Sequence, residues 1–307
     1  MDHPPRLVLD EARPGVRLTL DPEDIQHLVK VLRLSSGASL EVLDGRGHGY
    51  AGILDVERRG AAVIVGSLLR ETPASGAHSS PLPRLEVYAP WPKGNRAADA
   101  VGRLAQLGVA AWQPLVTAHT DAEARHAGDG RREKLVKVAR EALKQCGGLH
   151  ALQIRPVMDW QEAVQGFQEA VQGFTADSAG SAGSQGPTRA PDIKLQLSKS
   201  AMGDGEKNQQ SRTVSHCNLV LDPYSPTWLS THLERTLSDC TSTTGPTGFR
   251  LWAGPEAGFS PSELEALHAC GCAFVRLSTQ VLRIETALEA AAAIVLERCA
   301  ARAAHAR

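Results

Sequence analysis

The sequence predicts an α/β protein in two parts. Residues 1–72 should form a small β-rich domain, residues 84–307 a larger domain on a parallel sheet, and residues 73–83 a linker. Three observations predict this. Residues 6 to 70 read as short apolar runs separated by turn residues, with one helix among them. From Arg84 onward the patterns run strand, helix, strand, the order that builds a parallel sheet. The stretch from Leu251 to Leu296 holds two loops, each opening into a helix.

Composition sets the outer limits. At 307 residues, with 42% hydrophobic residues and a formal net charge of −1, the chain can bury a sizeable core as a soluble globular protein. No apolar run approaches a membrane span, and Met1 to Pro14 lacks the basic-then-apolar order of a secretory signal, so no membrane association and a cytoplasmic location are expected. The cysteines at 146, 217, 240, 270, 272 and 299 make no C-x-x-C pair, and Cys270-Gly271-Cys272 is too tight for a zinc knuckle. Reduced thiols are therefore expected. The histidines show no ligand spacing, and no metal site is expected.

In the first part, strands are expected at Arg6 to Leu9, Val16 to Leu20, Ser39 to Leu43, Tyr50 to Val56 and Ala61 to Val65. Asp21-Pro22-Glu23-Asp24 starts the helix, with Ile25, Leu28, Val29 and Leu32 on one face. Asp44-Gly45 signals a hairpin. Gly45-Arg46-Gly47-His48-Gly49 lacks the spacing and the following helix of a nucleotide fingerprint. The Pro, Ser and Gly of TPASGAHSSPLP, residues 72–83, mark the boundary.

The second part opens with a strand at Leu85 to Ala89. Lys93-Gly94-Asn95 then leads into a helix with Ala97, Val101, Leu104 and Ala105 on one face and Gly108 at its end, before a strand at Val109 to Leu115. Arg131 to Gly147 is a helix whose apolar face is Leu135, Val138, Ala139, Ala142 and Cys146. Arg131, Arg132, Lys134, Lys137, Arg140 and Lys144 cover much of the rest, a stripe suited equally to phosphate contact and to plain solvation. QEAVQGF occurs twice in tandem over residues 161–174, and the Gly-, Ser-, Gln- and Lys-rich stretch 175–215 reads as a disordered insertion. The fold resumes with a strand from Asn218 to Leu221, ending at Asp222-Pro223.

A strand ending at Ala253 is followed by Gly254, Pro255 and Gly258, which force a turn and bare the backbone to a ligand. Ser260-Pro261-Ser262-Glu263 carries the Ser, Pro and Glu of a capping box, and Gly271 stops the helix it opens. A strand at Ala273 to Leu277 follows, then a loop through Ser278, Thr279 and Gln280. Thr286 and Glu289 read as a second capping box, ahead of a helix from Ala287 to about Ala303. Leu288, Ala291, Ala292, Val295, Leu296 and Cys299 give that helix an apolar face wide enough for a core or a partner.

GPEAGFSPSEL at 254–264 followed by LSTQVLRIETA at 277–287 resembles the C-terminal signature of the RsmE family, whose pattern is GPEGG-(F/L)-S-x-x-E and then LGxRILRxETA. HLVKVLRLSSGASLEVLDGRGHGYAGIL resembles that family's PUA-like N-terminal barrel, and PKGNRAADAVGRLAQLGVAAWQPL its first methyltransferase motif. The resemblance implies a SPOUT-type, trefoil-knotted α/β methyltransferase domain preceded by a PUA-like β-barrel. It implies S-adenosylmethionine as cofactor, small-subunit (16S) ribosomal RNA as partner, N3 of a uridine as target, and a homodimer paired through the knot region. Cofactor contacts are expected from Leu221, Ala253, Gly254, Gly258, Leu277, Val281, Leu282 and Thr286, with the loop Asp222 to Ser225 helping to wall the cofactor, and RNA contacts from His27, Lys30, Arg33, Lys93, Arg131, Lys134 and Gln145. Ser278 and Gln280 stand where the family has Gly and Arg, Gln106 and Lys144 where it has Glu, and Gly148 and His119 where it has Arg. These departures leave open a drifted RNA target or a non-catalytic RNA-binding paralogue.

Methylating N3 of uracil requires removal of its proton and in-line attack on a sulfonium methyl, which needs no metal. Arg283 is the candidate to stabilise the developing uracil oxyanion, and Glu285 or Glu256 the candidate proton acceptor. A local ion pair of Arg283 and Glu285 at the helix start is the competing explanation of those two residues.

Overall fold

In the computed structural model, the structure describes residues 4–72, 83–121, 125, 129–167, 216–238, 246 and 248–305. Most of the expected linker, the second QEAVQGF copy and the 175–215 stretch lie outside them. By contact the chain divides into two compact units. One is Met1–Pro81 with Ala98–Ala110 and Gly130–Gln153; the other is Leu82–Ala97 with Ala111–Asp129 and Ile154–Arg307.

In the first unit, β1 (Arg6–Val8), β2 (Arg17–Thr19), β3 (Ser39–Leu43), β4 (His48–Glu57) and β5 (Gly60–Glu71) form a five-stranded sheet in the order β1-β3-β4-β5-β2. Its pairs are antiparallel except the parallel β1–β3. Leu7, Leu28, Leu40, Val42, Leu54, Val63 and Val65 fill its core. Gly52 lies so close to Val42 that a Cβ there would fall 2.6 Å from it, which fixes glycine in the strand. The hairpin between β3 and β4 is braced by the buried Asp44 carboxylate, which accepts the backbone N–H of Arg46 (2.7 Å) and of His48 (3.0 Å) and meets His48 Nδ1 at 2.7 Å.

The helix after Asp21 departs from the expected one. It runs as a single α-turn, α1 (Pro22–Ile25), and then widens into a π-helical stretch at Gln26–Val31. The wider turn shifts the phase of the face. Leu28 remains buried, but Leu32 is 41% exposed and Leu34 packs on the core instead. Arg33 ends the turn in the left-handed region (φ 55°), uncommon for a residue with a side chain.

Helix α2 (Arg96–Leu107) buries Ala97, Ala100, Val101, Leu104 and Ala105. Helix α3 (Asp129–Cys146) buries Leu135, Ala139, Ala142 and Leu143, whereas Cys146, assigned to this face from its spacing, is exposed. The reason lies at the helix end. Leu143 joins Val8 and Leu43 in a small core, while Gly147 turns the chain at φ 67°. Buried Glu41 pairs with both Arg6 (2.9 Å) and Arg70 (2.5 Å). Arg6 in turn donates to the carbonyls of Lys144 and Gln145, and Arg70 to that of Gly147, so two cations on one carboxylate close the C-terminus of α3.

The second unit is built on a sheet in the order β12-β10-β11-β6-β7-β8, with β9 also on β7. The strands are β6 (Arg84–Ala89), β7 (Ala111–Val116), β8 (Gln153–Ile154), β9 (Met158–Asp159), β10 (His216–Leu221), β11 (Gly248–Trp252) and β12 (Ala273–Val275). The pairs β12–β10, β10–β11, β11–β6 and β6–β7 are all parallel. One face packs Trp252, Val220, Tyr88 and Leu115 against the helical residues 160–167 and α5 (Pro261–Ala269). Buried Glu86 on β6 gathers Arg155 (2.7 Å), Arg84 (3.0 Å) and Arg250 (3.6 Å).

Two helices remain, α4 (Leu229–Ser238) and α6 (Ile284–His305). The latter begins earlier than expected. The carbonyl of Arg283 accepts the N–H of Ala287 at 2.9 Å, so Thr286 lies inside the first turn, exposed, and does not cap it. The apolar face of α6 is covered within the chain: Leu288, Ala291 and Ala292 are 0% exposed and Val295 is 1% exposed. These buried residues pack against the chain's own β6, β11 and α4.

Candidate active site

Because β10, β11, β12, β6 and β7 run parallel, the loops leaving them emerge at one edge, where open α/β sheets bind ligands. After β11, Gly258 N–H reaches the carbonyl of Pro255 at 2.8 Å, closing a tight turn with Gly258 at φ 77°. A Cβ on Gly254 would lie 2.8 Å from Phe259 N and 2.9 Å from Gly258 C, so the two halves of the turn touch backbone to backbone. Beside Gly258, a side chain would meet nothing within 4 Å, which leaves open space against bare backbone.

The predicted capping box is present. Ser260 Oγ accepts the N–H of Glu263 (3.3 Å) while Glu263 Oε2 accepts the N–H of Ser260 (2.7 Å). Glu263 Oε1 also accepts the N–H of Ala118 at 2.7 Å, and His119 Nδ1 donates to the carbonyl of Gly258 at 3.0 Å. The loops after β7 and β11 are thereby tied together.

Arg96, not singled out from the sequence, is the centre of the charged groups at this edge. Its guanidinium meets Glu256 at 3.1 Å and Glu285 at 3.4 Å. Burial works against its charge, but the two carboxylates outweigh that and raise its pKa. Lys93 pairs with Asp121 at 3.0 Å, and that hydrogen bond raises the Lys93 pKa. Glu285 is 8% exposed, and its Oε2 is buried without a partner among the described residues. The two proposed acids thus meet through Arg96. Arg283 is exposed and makes no ion pair with Glu285, so the local pair does not form.

Ser278 Oγ accepts the N–H of Gln280 at 3.0 Å, so the side chain that replaces the family's Gly braces the loop after β12. Leu221, Leu277 and Leu282 are half-buried, Ala253 is buried, and Val281 and Thr286 are exposed. In the first unit, His27, Lys30, Arg33 and Lys134 are exposed, and their side chains make no ion pair among the described residues. Gln145 is exposed and Arg131 half-buried. The sequence signal for Arg96 lies in PKGNR, three residues after Lys93.

A parallel sheet whose loops converge on a glycine turn and a buried, partly unpaired carboxylate is a ligand site of the open α/β class. A family model for the RNA methyltransferase domain matches residues 78–186 and 181–296, and one for the RNA methyltransferase PUA domain matches residues 20–65. The chain belongs to the RsmE-type RNA methyltransferase family. The fold is similar to that of a solved protein from Legionella pneumophila, described as a methyltransferase with its cofactor S-adenosylmethionine bound. The two are 21% identical, with 96% of this chain and 97% of that one covered and a TM-score of 0.66. It is also similar to the ribosomal RNA small subunit methyltransferase E of Neisseria gonorrhoeae bound to S-adenosylmethionine, at 20% identity, 95% and 96% coverage and a TM-score of 0.63. No helix among the described residues is long and apolar enough to cross a membrane, and these residues contain no cluster suited to a metal ion.

Proposed function

We propose that this RNA methyltransferase uses S-adenosylmethionine to methylate N3 of a uridine in 16S ribosomal RNA of the small subunit. The observation that carries the reading is Glu285: one oxygen is held by Arg96 and the other is buried and unpartnered at the carboxyl edge of the sheet. The tight turn closed at Gly254 and the open space beside Gly258 suit the cofactor, with Leu221, Ala253, Leu277, Val281, Leu282 and Thr286 as further contacts. When bound, S-adenosylmethionine supplies an electrophilic methyl group on a sulfonium.

Glu285 accepts the proton from N3, a general-base role worth roughly 10²–10⁴-fold in rate. Arg283, exposed and uncommitted beside it in sequence, stabilises the charge that the uracil oxygens acquire. Arg96 holds Glu285 in place while sharing its charge with Glu256. His27, Lys30, Arg33, Lys134, Arg131, Lys93 and Gln145 contact the RNA, mainly at phosphates. The chain acts as a knotted homodimer paired through the knot region, which light scattering at micromolar concentration tests by a dimer mass.

Mass spectrometry of ribosomal RNA from a strain lacking this protein tests the reaction. Loss of N3-methyluridine from 16S RNA, restored by the intact gene and not by Glu285→Gln, is the expected result. An unchanged N3-methyluridine content would overturn the proposal.

A further inference from the structure

In the second unit only two large hydrophobic side chains among the described residues are left in solvent: Tyr224, 85% exposed, and Val281, 69% exposed. Tyr224 lies on the loop leaving β10 and Val281 on the loop leaving β12, which are neighbouring strands paired Leu221 to Val275. Both therefore stand at the carboxyl edge that carries Glu285. An aromatic ring this exposed usually sits on a loose loop, but this loop is held along its length. Asp222 N–H reaches the carbonyl of Val275 at 2.9 Å, and the Asp222 carboxylate accepts the N–H of Tyr224 at 2.9 Å. Ser225, 3% exposed, donates its hydroxyl to the carbonyl of Phe274 at 2.8 Å and accepts the N–H of Thr227 at 3.1 Å. The carbonyl of Thr227 accepts the N–H of Arg276 at 2.9 Å, and the Arg276 guanidinium stacks 4.2 Å over the Trp228 ring. The backbone under Tyr224 is fixed on both sides, while its ring touches no described partner.

We propose that Tyr224 is the stacking platform for a base of the RNA substrate, a specificity-determining contact at the reaction edge. This rests on the reading of the chain as an RNA methyltransferase and not on the identity of the target uridine. Bases that undergo chemistry must leave their stack, and an aromatic face replaces the stacking they lose. Tyrosine suits this because its ring orders at low cost in rotamer freedom. A fixed loop removes the remaining ordering cost, so the face is ready before RNA arrives.

The test measures three quantities on the full chain: affinity for a labelled single-stranded, uridine-containing oligoribonucleotide, S-adenosylmethionine affinity by calorimetry, and thermal midpoint. Loss of stacking costs about 1–3 kcal/mol per base, so Tyr224→Ala should weaken oligonucleotide binding by about 5- to 150-fold. Tyr224→Phe, which keeps the ring, should bind like the unmodified chain, and cofactor affinity and midpoint should stay unchanged in both variants. Equal oligonucleotide affinity for Tyr224→Ala and the unmodified chain would overturn the proposal. So would a parallel loss of cofactor affinity, which would assign the ring to the cofactor wall, or a monomer mass for Tyr224→Ala alone, which would assign it to a second copy of the chain. A chain that binds the oligonucleotide through Tyr224 yet leaves 16S N3-methyluridine unchanged would sink the uridine assignment and keep this one.

Discussion

The charged groups of the first unit and those at the carboxyl edge of the second are arranged to opposite ends. In the first unit three of the six cations of α3 pair within the fold: Arg140 with Asp10 at 2.7 Å, Lys144 with Asp24 at 2.7 Å, and Lys137 with Glu23 at 3.6 Å. Arg6 and Arg70 are likewise spent on Glu41 and the end of α3. At the carboxyl edge, Arg96 is shared between two carboxylates, one of which keeps an oxygen without a partner among the described residues, and Arg283 makes no ion pair among them. A cationic stripe in a sequence is thus poor evidence of RNA contact unless its counter-ions are known. A single carboxylate left half-satisfied in the interior is better evidence of chemistry.

Glu285→Gln breaks the second half of that comparison and should have the largest effect. Methyl transfer should fall by about 10²–10⁴-fold, with cofactor affinity little changed, in a single-turnover assay with labelled S-adenosylmethionine. Glu41→Ala breaks the first half. It leaves two arginines over a buried site without their anion and should lower unfolding free energy by about 3–5 kcal/mol in urea titration, while cofactor affinity persists. If Glu41→Ala were neutral, the α3 end would not be held as described.

Lysine substitutions on α3 sharpen the contrast further. Lys134→Ala should reduce the salt slope of RNA binding by about one unit, whereas Lys137→Ala, whose charge faces Glu23, should change it less. Equal slopes would put both lysines on the RNA.

The smallest effect concerns acid. Burial alone would lift the Asp44 pKa, but the N–H groups of His48 and Arg46 and the His48 ring more than offset it and hold the carboxyl below its ordinary value. A depressed folded pKa contributes stability that is present above the unfolded value, about 3.9, and is lost as pH falls through the folded one. Asp44→Asn should therefore flatten the fall of the thermal midpoint below about pH 4, while changing it by a few degrees at neutral pH. An unchanged acid slope would remove Asp44 from this role.

Much of the fold was legible because local chemistry agreed with the final packing. The capping box at Ser260 and Glu263, the strand–helix–strand order from Arg84 and the turn at Gly254 to Gly258 each follow from residues a few positions apart. What was not legible depended on distant partners. The π-helical phase shift at Gln26–Val31 cannot be read from a helical wheel, and Cys146 against Leu143 was settled by Val8 and Leu43, over a hundred residues away. The early start of α6 turned on which carbonyl takes the Ala287 N–H. Within the candidate site, Glu256, Glu285 and the glycines could be named from sequence, whereas Arg96 acquires its meaning only from carboxylates 160 and 189 positions away. The exposure of Tyr224 on a fixed loop leaves no trace in local pattern.

The Glu263 carboxylate has a consequence for what this edge admits. A helix start normally attracts phosphate, because its free N–H groups and positive pole are unmet. At the start of α5 that pole is already met from inside. Both oxygens of a carboxylate only 3% exposed are engaged, one on Ser260 N–H and one on Ala118 N–H. A nucleotide phosphate approaching there would find the N–H groups of Ser260, Glu263 and Ala118 already engaged and a carboxylate behind the backbone. A ligand bearing a positive sulfur would meet no like charge in that carboxylate, so the residue that starts the helix also sets the sign of the charge behind this backbone.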